Sequence, residues 1–193
     1  MKPLKILLAI ILLFAFATCS NDEPMQNDNL SLKFDNRFAL FLMLRGYVED
    51  ASYITQADVD TIKKLDVSGC ELKSLRGIEF MTSLTELQCY ANRLSSLDFS
   101  KNTKLETIYC ADNSLTDIRL GENANISYLS CQRNNLTSLD LRYCKNLTYL
   151  NCVSNPGKNG SFEVAIYPGT GLKIWKNSWD YDGQTITVKL TQK

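Results

Sequence analysis

Seven cysteines in a chain of 193 residues are the first chemistry to account for, because no histidine accompanies them. Without histidine the commonest general base and metal ligand is missing, and a serine–histidine–aspartate triad is excluded by composition. Cys89, Cys110, Cys131 and Cys152 recur every 21 residues. Four readings compete for them. An exported protein can use disulfides, but side chains in one column of a sheet point the same way, which is poor bridging geometry. A metal site would need ligands that wrap an ion, and there are no CxxC pairs. A reactive thiolate needs exposure and a cation nearby. The reading that fits the spacing is a column of small apolar core fillers. Cys70 and Cys144 fall off that column, at positions where other copies of the repeat carry asparagine.

The carboxylates offer little more. Asp50, Asp58 and Asp60 lack the D-x-D-x-D-G spacing of a calcium loop. Asp180 and Asp182 read as turn residues, not as a hydrolytic pair. No nucleophile–base pair, metal cluster or phosphate loop is visible, so catalysis is not expected, nor is a cofactor. Lysine and arginine number 21 against 21 aspartates and glutamates. A neutral chain gives no electrostatic reason to bind nucleic acid.

The elements that must position these residues are repeats. Four segments align at a spacing of 21: LTELQCYANRL from Leu84, LETIYCADNSL from Leu105, ISYLSCQRNNL from Ile126 and LTYLNCVSNPG from Leu147. A fifth, IKKLDVSGCEL, starts at Ile62, with Val67 in the cysteine slot. The shared pattern is L-x-x-L-x-C-x-x-N-x-L. Leu87 and Cys89 point one way and Glu86, Gln88 and Tyr90 the other, the period of a strand. One such strand cannot bury its apolar face, whereas stacked copies form a parallel sheet over a continuous core. Asn92, Asn113, Asn134 and Asn155 follow each strand, where a buried amide can satisfy turn backbone and bridge neighbouring coils. Leu97/Phe99, Ile118/Leu120 and Leu139/Leu141 alternate too, predicting a second short parallel sheet behind the first, with Asn102 and Asn123 at its turn.

This pattern resembles the leucine-rich repeat. With its cysteine ladder and its Leu97-Asp98-Phe99-Ser100-Lys101-Asn102 half, it is similar to the short repeats of Bacteroides-type surface lipoproteins, related in form to internalin repeats. The resemblance covers roughly residues 34–155. It implies a leucine-rich-repeat solenoid with a parallel sheet, a helical N-terminal cap and a role in binding; with the strands read after Pro156 as a C-terminal β cap, the expected fold is a mostly β, α/β-type repeat solenoid.

The N-terminus reads as a targeting segment. Lys2 and Lys5 precede an apolar run of 12 residues, Ile6 to Ala17. That is too short to span a bilayer, which takes about 20 residues, and fits a secretory signal. Ala17-Thr18-Cys19 resembles a bacterial lipoprotein signal, with Cys19 as the lipidated residue. Cleavage after Ala15-Phe16-Ala17 is the ordinary secretory alternative. Ser20-Asn21-Asp22-Glu23 resembles the acidic signals that send such lipoproteins to the cell surface. The expected organisation is signal peptide 1–18, tether 19–29, helical cap 30–61, repeats 62–155 and β cap 156–193. The expected location is the outer membrane of a cell envelope, exposed at the surface, with a periplasm-facing or secreted form as alternatives.

In the first cap, Asp35 or Asn36 would start a helix that Gly46 stops, and Thr55 would cap a second turn. In the last, SFEVAIYP and QTITVKLTQ read as strands. Trp175 and Trp179 either plug the open end or form an exposed aromatic site.

Binding would fall on the outward face of the sheet. Its candidate residues are Gln88, Tyr90, Tyr109, Tyr128, Gln132, Tyr149 and Asn151. Tyrosine favours strands in any case, but it is also an interface residue. Two partner classes follow: a protein, or a glycan stacked on tyrosine and tryptophan faces.

Overall fold

A computed structural model describes residues 32–192. Cys19, the signal and the whole tether 19–29 lie outside the described residues. Helix α1 (Asn36–Leu44) begins where Asp35 accepts hydrogen bonds from the backbone N–H groups of Arg37 and Phe38. A short helix α2 (Gln56–Val59) follows, with the Asp58 carboxylate accepting from both the N–H and the hydroxyl of Thr55. Those bonds hold Asp58 below the usual carboxylate range. Asp50 is tied to Ser52 in the same manner, and Gln56 donates to Asp60. These acids are thus occupied locally, and no group of three or more potential metal ligands converges among the described residues.

The repeats then wind six turns of sheet. The front strands are β1 (Lys64–Asp66), β2 (Glu86–Gln88), β4 (Thr107–Tyr109), β6 (Tyr128–Ser130), β8 (Tyr149–Asn151) and β10 (Lys173–Ile174), paired in that order and all parallel. Between them run the back strands β3 (Ser96–Asp98), β5 (Asp117–Arg119) and β7 (Ser138–Leu141). β3 pairs with β5 in parallel. β7 instead joins β9 (Ser161–Ile166), β12 (Gln184–Gln192) and β11 (Ser178–Tyr181) in a four-stranded sheet. The back sheet expected from the alternation is therefore present but divided, its third strand recruited by the C-terminal segment.

The core is the column structure the repeat requires. Leu84, Leu87, Leu105, Ile108, Ile126, Leu129 and Leu150 are fully enclosed, as are all four ladder cysteines. Each large aliphatic side chain so buried contributes roughly 1.5–3 kcal/mol. Phe38 and Leu42 from α1 and Phe34 just before it join the same core, with Phe34 also against Phe80. Among the described residues no helix is long and apolar enough to cross a membrane.

The asparagines bind across repeats. Asn134 accepts from Leu115 N–H and donates to the carbonyls of Cys110, Cys131 and Gln132. Asn92, Asn113 and Asn155 repeat the arrangement one row apart. The residue before each ladder position is left-handed: Gly69, Ala91, Asp112, Arg133 and Ser154, with φ of 66, 54, 55, 53 and 58 degrees. Only the first is glycine, so four rows hold side chains in a conformation they rarely adopt. On the other turn, Asn102 donates to the carbonyls of Ile78 and Met81, and Asn123 to those of Asn102 and Leu105. Cys144 occupies the third such slot and is buried. Cys70 is half-buried, its thiol directed at the Ser68 carbonyl.

Candidate functional site

Strand register turns the outward face into columns. The first holds Lys64, Glu86, Thr107, Tyr128, Tyr149 and Lys173. The second holds Asp66, Gln88, Tyr109, Ser130 and Asn151. The third, one step beyond the strands, contains Tyr90, Ala111, Gln132 and Val153. The seven candidate residues all lie on this face, but they do not form one cluster.

Tyr109, Tyr128 and Tyr149 are brought together. The rings of Tyr128 and Tyr149 stack with centroids 4.4 Å apart and planes 6° from parallel. Tyr109 leans on Tyr128 from the other side, at 4.9 Å and 44°. Partial burial, then the adjoining Tyr149 and Tyr109, push the Tyr128 phenol up to about 12. Tyr128 is thus met by a ring from each neighbouring strand, and all three tyrosines are half-buried. Tyr90 stands apart from the stack and is 43% exposed.

Beside the stack the floor is low, because Ala111 and Ser130 are small and buried. The Ser130 hydroxyl donates to the Gln132 side-chain carbonyl at 2.6 Å. Asn151 accepts from Val153 N–H at 3.4 Å. Both amides thus use their oxygens internally, which leaves their NH2 groups as the donors they can offer. Gln88 is spent differently, donating to Glu86, whose other oxygen meets Lys64 at 2.8 Å. On the far rim Arg133 reaches back one row to Asp112 in a bidentate pair.

The sequence reading missed the sixth row. Lys173 pairs with Tyr149, and the Trp175 N–H donates to Leu150 O at 2.9 Å. Alternation along the strand places Lys173 and Trp175 outward around an inward Ile174. The two tryptophans have different fates. Trp179 is half-buried, donating from its indole N–H to Asn155 O at 2.8 Å and meeting Phe162 edge-on at 5.7 Å. Trp175 is 60% exposed, next to Asn151. The plug and the exposed aromatic are both present, one tryptophan each. The polar–apolar–aromatic alternation of residues 173–175 was the available signal, and the lack of a repeat motif there hid it.

Beneath the face, all six described cysteines are free thiols. Burial pushes the Cys110 and Cys152 thiols up to about 12 and those of Cys89 and Cys131 well above their ordinary value. Such thiols stay protonated and are poor nucleophiles.

No protein-family model matches the chain, and no curated protein sequence does. Solved structures do. The functional domain of InlJ from Listeria monocytogenes, which includes a cysteine ladder, superposes with a TM-score of 0.51 at 24% identity, covering 67% of this chain and 32% of that one. InlF, an internalin from Listeria monocytogenes, gives a TM-score of 0.53 at 23% identity, covering 72% of this chain and 44% of that one. The chain thus spans less than half the length of either internalin. At this identity the likeness concerns the fold alone, and with the parallel columns above it makes the architecture a leucine-rich-repeat solenoid, mostly β, similar to that of internalins.

Proposed function

We propose that the chain is a binding module, not a catalyst, and that the outward face of its front sheet takes a protein partner. One observation carries this: Tyr109, Tyr128 and Tyr149 are stacked at the surface next to amide donors, on strands with no competing internal use for them. Pre-stacked tyrosines lose little conformational freedom on binding, which favours them as interface anchors. The module is tethered at Cys19 to the outer membrane of a cell envelope and displayed at the surface, a reading supported by the apolar run 6–17 and the acidic residues after Cys19.

The glycan alternative has one observation in its favour, the free ring of Trp175. Against it, sugars stack on ring faces, and Tyr128 is met by a ring from each neighbouring strand. Capture from host or community extract on the full chain, compared with a Tyr109→Ala/Tyr128→Ala variant, tests the face. Equal capture by both refutes it. A soluble glycan array run on the same two proteins favours the alternative if a wild-type sugar signal is lost in the variant. Protease shaving of intact cells tests display.

A further inference from the structure

The outward face is polar in a second sense: its two ends carry opposite charge. At the first row Asp66 accepts from the Ser68 N–H and has no cation within salt-bridge distance among the described residues, while its neighbours Lys64 and Glu86 neutralise each other. In the middle Arg133 and Asp112 are likewise paired. At the sixth row Lys173 has no anion within salt-bridge distance among the described residues, and it stands in the same column as Tyr149, beside exposed Trp175. Between these ends lie the low floor of Ala111 and Ser130 and the amide donors of Gln132 and Asn151.

From this, and resting on the reading of the face as a protein-binding surface, we infer that its occupant is an extended peptide segment crossing the strands, with a basic residue over Asp66 and an acidic residue against Lys173 and Trp175. Five interstrand steps separate the two charges, or about 24 Å. An extended chain covers that in about seven residues. The chemistry in between matches a backbone: amide donors meet peptide carbonyls, and half-buried tyrosines meet side chains that need no ring face. A neutral sugar has no use for charges of both signs, and a helix would make poor use of a floor this shallow. Charge of this kind orients the segment and sets its register more than it adds affinity.

The test uses displayed random decapeptides selected on the immobilised full chain. The expected binders carry Lys or Arg and Asp or Glu about seven positions apart, lose binding on Tyr109→Ala/Tyr149→Ala, and weaken as salt rises. On Lys173→Glu, a substitution at an exposed site that leaves the core alone, each binder weakens roughly two- to fivefold, as expected for an exposed ion pair. Reselection on that variant should return basic residues at the same position. Binders that depend on the tyrosines but lack the charge pair, or are indifferent to Lys173→Glu, overturn this inference and leave the protein-binding reading standing. The absence of any tyrosine-dependent peptide binder overturns this inference, and equal capture from extract by the chain and its Tyr109→Ala/Tyr128→Ala variant overturns the protein-binding reading with it.

Discussion

Replacing Asn134 by alanine isolates what the asparagine ladder contributes. The side chain is 3% exposed and makes four hydrogen bonds. Their loss is unequal. Cys110 O retains Asn113 as a donor at 3.3 Å, Cys131 O retains Asn155 at 3.1 Å, and Gln132 O retains the N–H of Asp112 at 3.0 Å. Leu115 N–H has no second acceptor among the described residues and becomes a buried orphan. An orphaned donor costs about 1–3 kcal/mol, and the lost amide bonds bring the total to about 2–4 kcal/mol. For a domain of this size that lowers the melting temperature by roughly 5–15 °C. Urea and thermal unfolding followed by circular dichroism would measure it, with Asn135→Ala as the exposed control. Hydrogen exchange should find the Leu115 amide among those losing most protection. Asn134→Asp should be worse still at neutral pH, since it sets a charge against three carbonyls, and milder in acid. If Asn134→Ala costs no more than Asn135→Ala, the ladder argument fails.

Two further outcomes follow from the core. The ladder thiols are raised when folded, from about 9 to about 12 for Cys110 and Cys152, so their contribution is complete below pH 9 and fades as pH climbs toward 12. At pH 10 each such thiol should cost about 1.4 kcal/mol relative to neutral pH, read by urea melts at pH 8 and 10. A Cys110→Ala variant should show a smaller pH effect, and equal stability at both pH values would contradict the assignment. Gly121→Ala should destabilise by at least about 2 kcal/mol, because φ is +61° and a Cβ would sit 2.8 Å from the Ser100 Cα. Gly46→Ala, at φ +75° with open space around it, should lose only about 1 kcal/mol, and equal losses would rule out the steric part.

The repeat was legible because its information is local. A leucine, a cysteine and an asparagine at fixed offsets each answer one question of burial or hydrogen bonding, and Asn92, Asn113, Asn134 and Asn155 answer it alike. The left-handed residues were not legible, since Ala91, Asp112, Arg133 and Ser154 share no side-chain type; the demand is made by the turn, not by the residue. Half of the site was readable in the same way. Period-2 alternation put Tyr109, Tyr128 and Tyr149 outward, but not their stacking, which depends on side-chain angles. Lys173 and Trp175 escaped because they join the sheet through backbone bonds to Thr148 and Leu150, and backbone pairing leaves no residue signature.

The direction of the asparagine bonds has a last consequence. Every ladder asparagine closes its own turn and also reaches back to the row before it, so two of its bonds, one donated and one accepted, couple neighbours. In a linear array, stability is the sum of what each unit has and what each junction adds, and the junctions decide how many units unfold together. The ladder therefore sets the cooperativity of the solenoid. A cut at Asn134 should do more than lower a midpoint: it should let the rows on either side melt as separate blocks. Conversely, inserting or removing a whole 21-residue row preserves every junction, and should change the length of the binding face without changing how the molecule holds together.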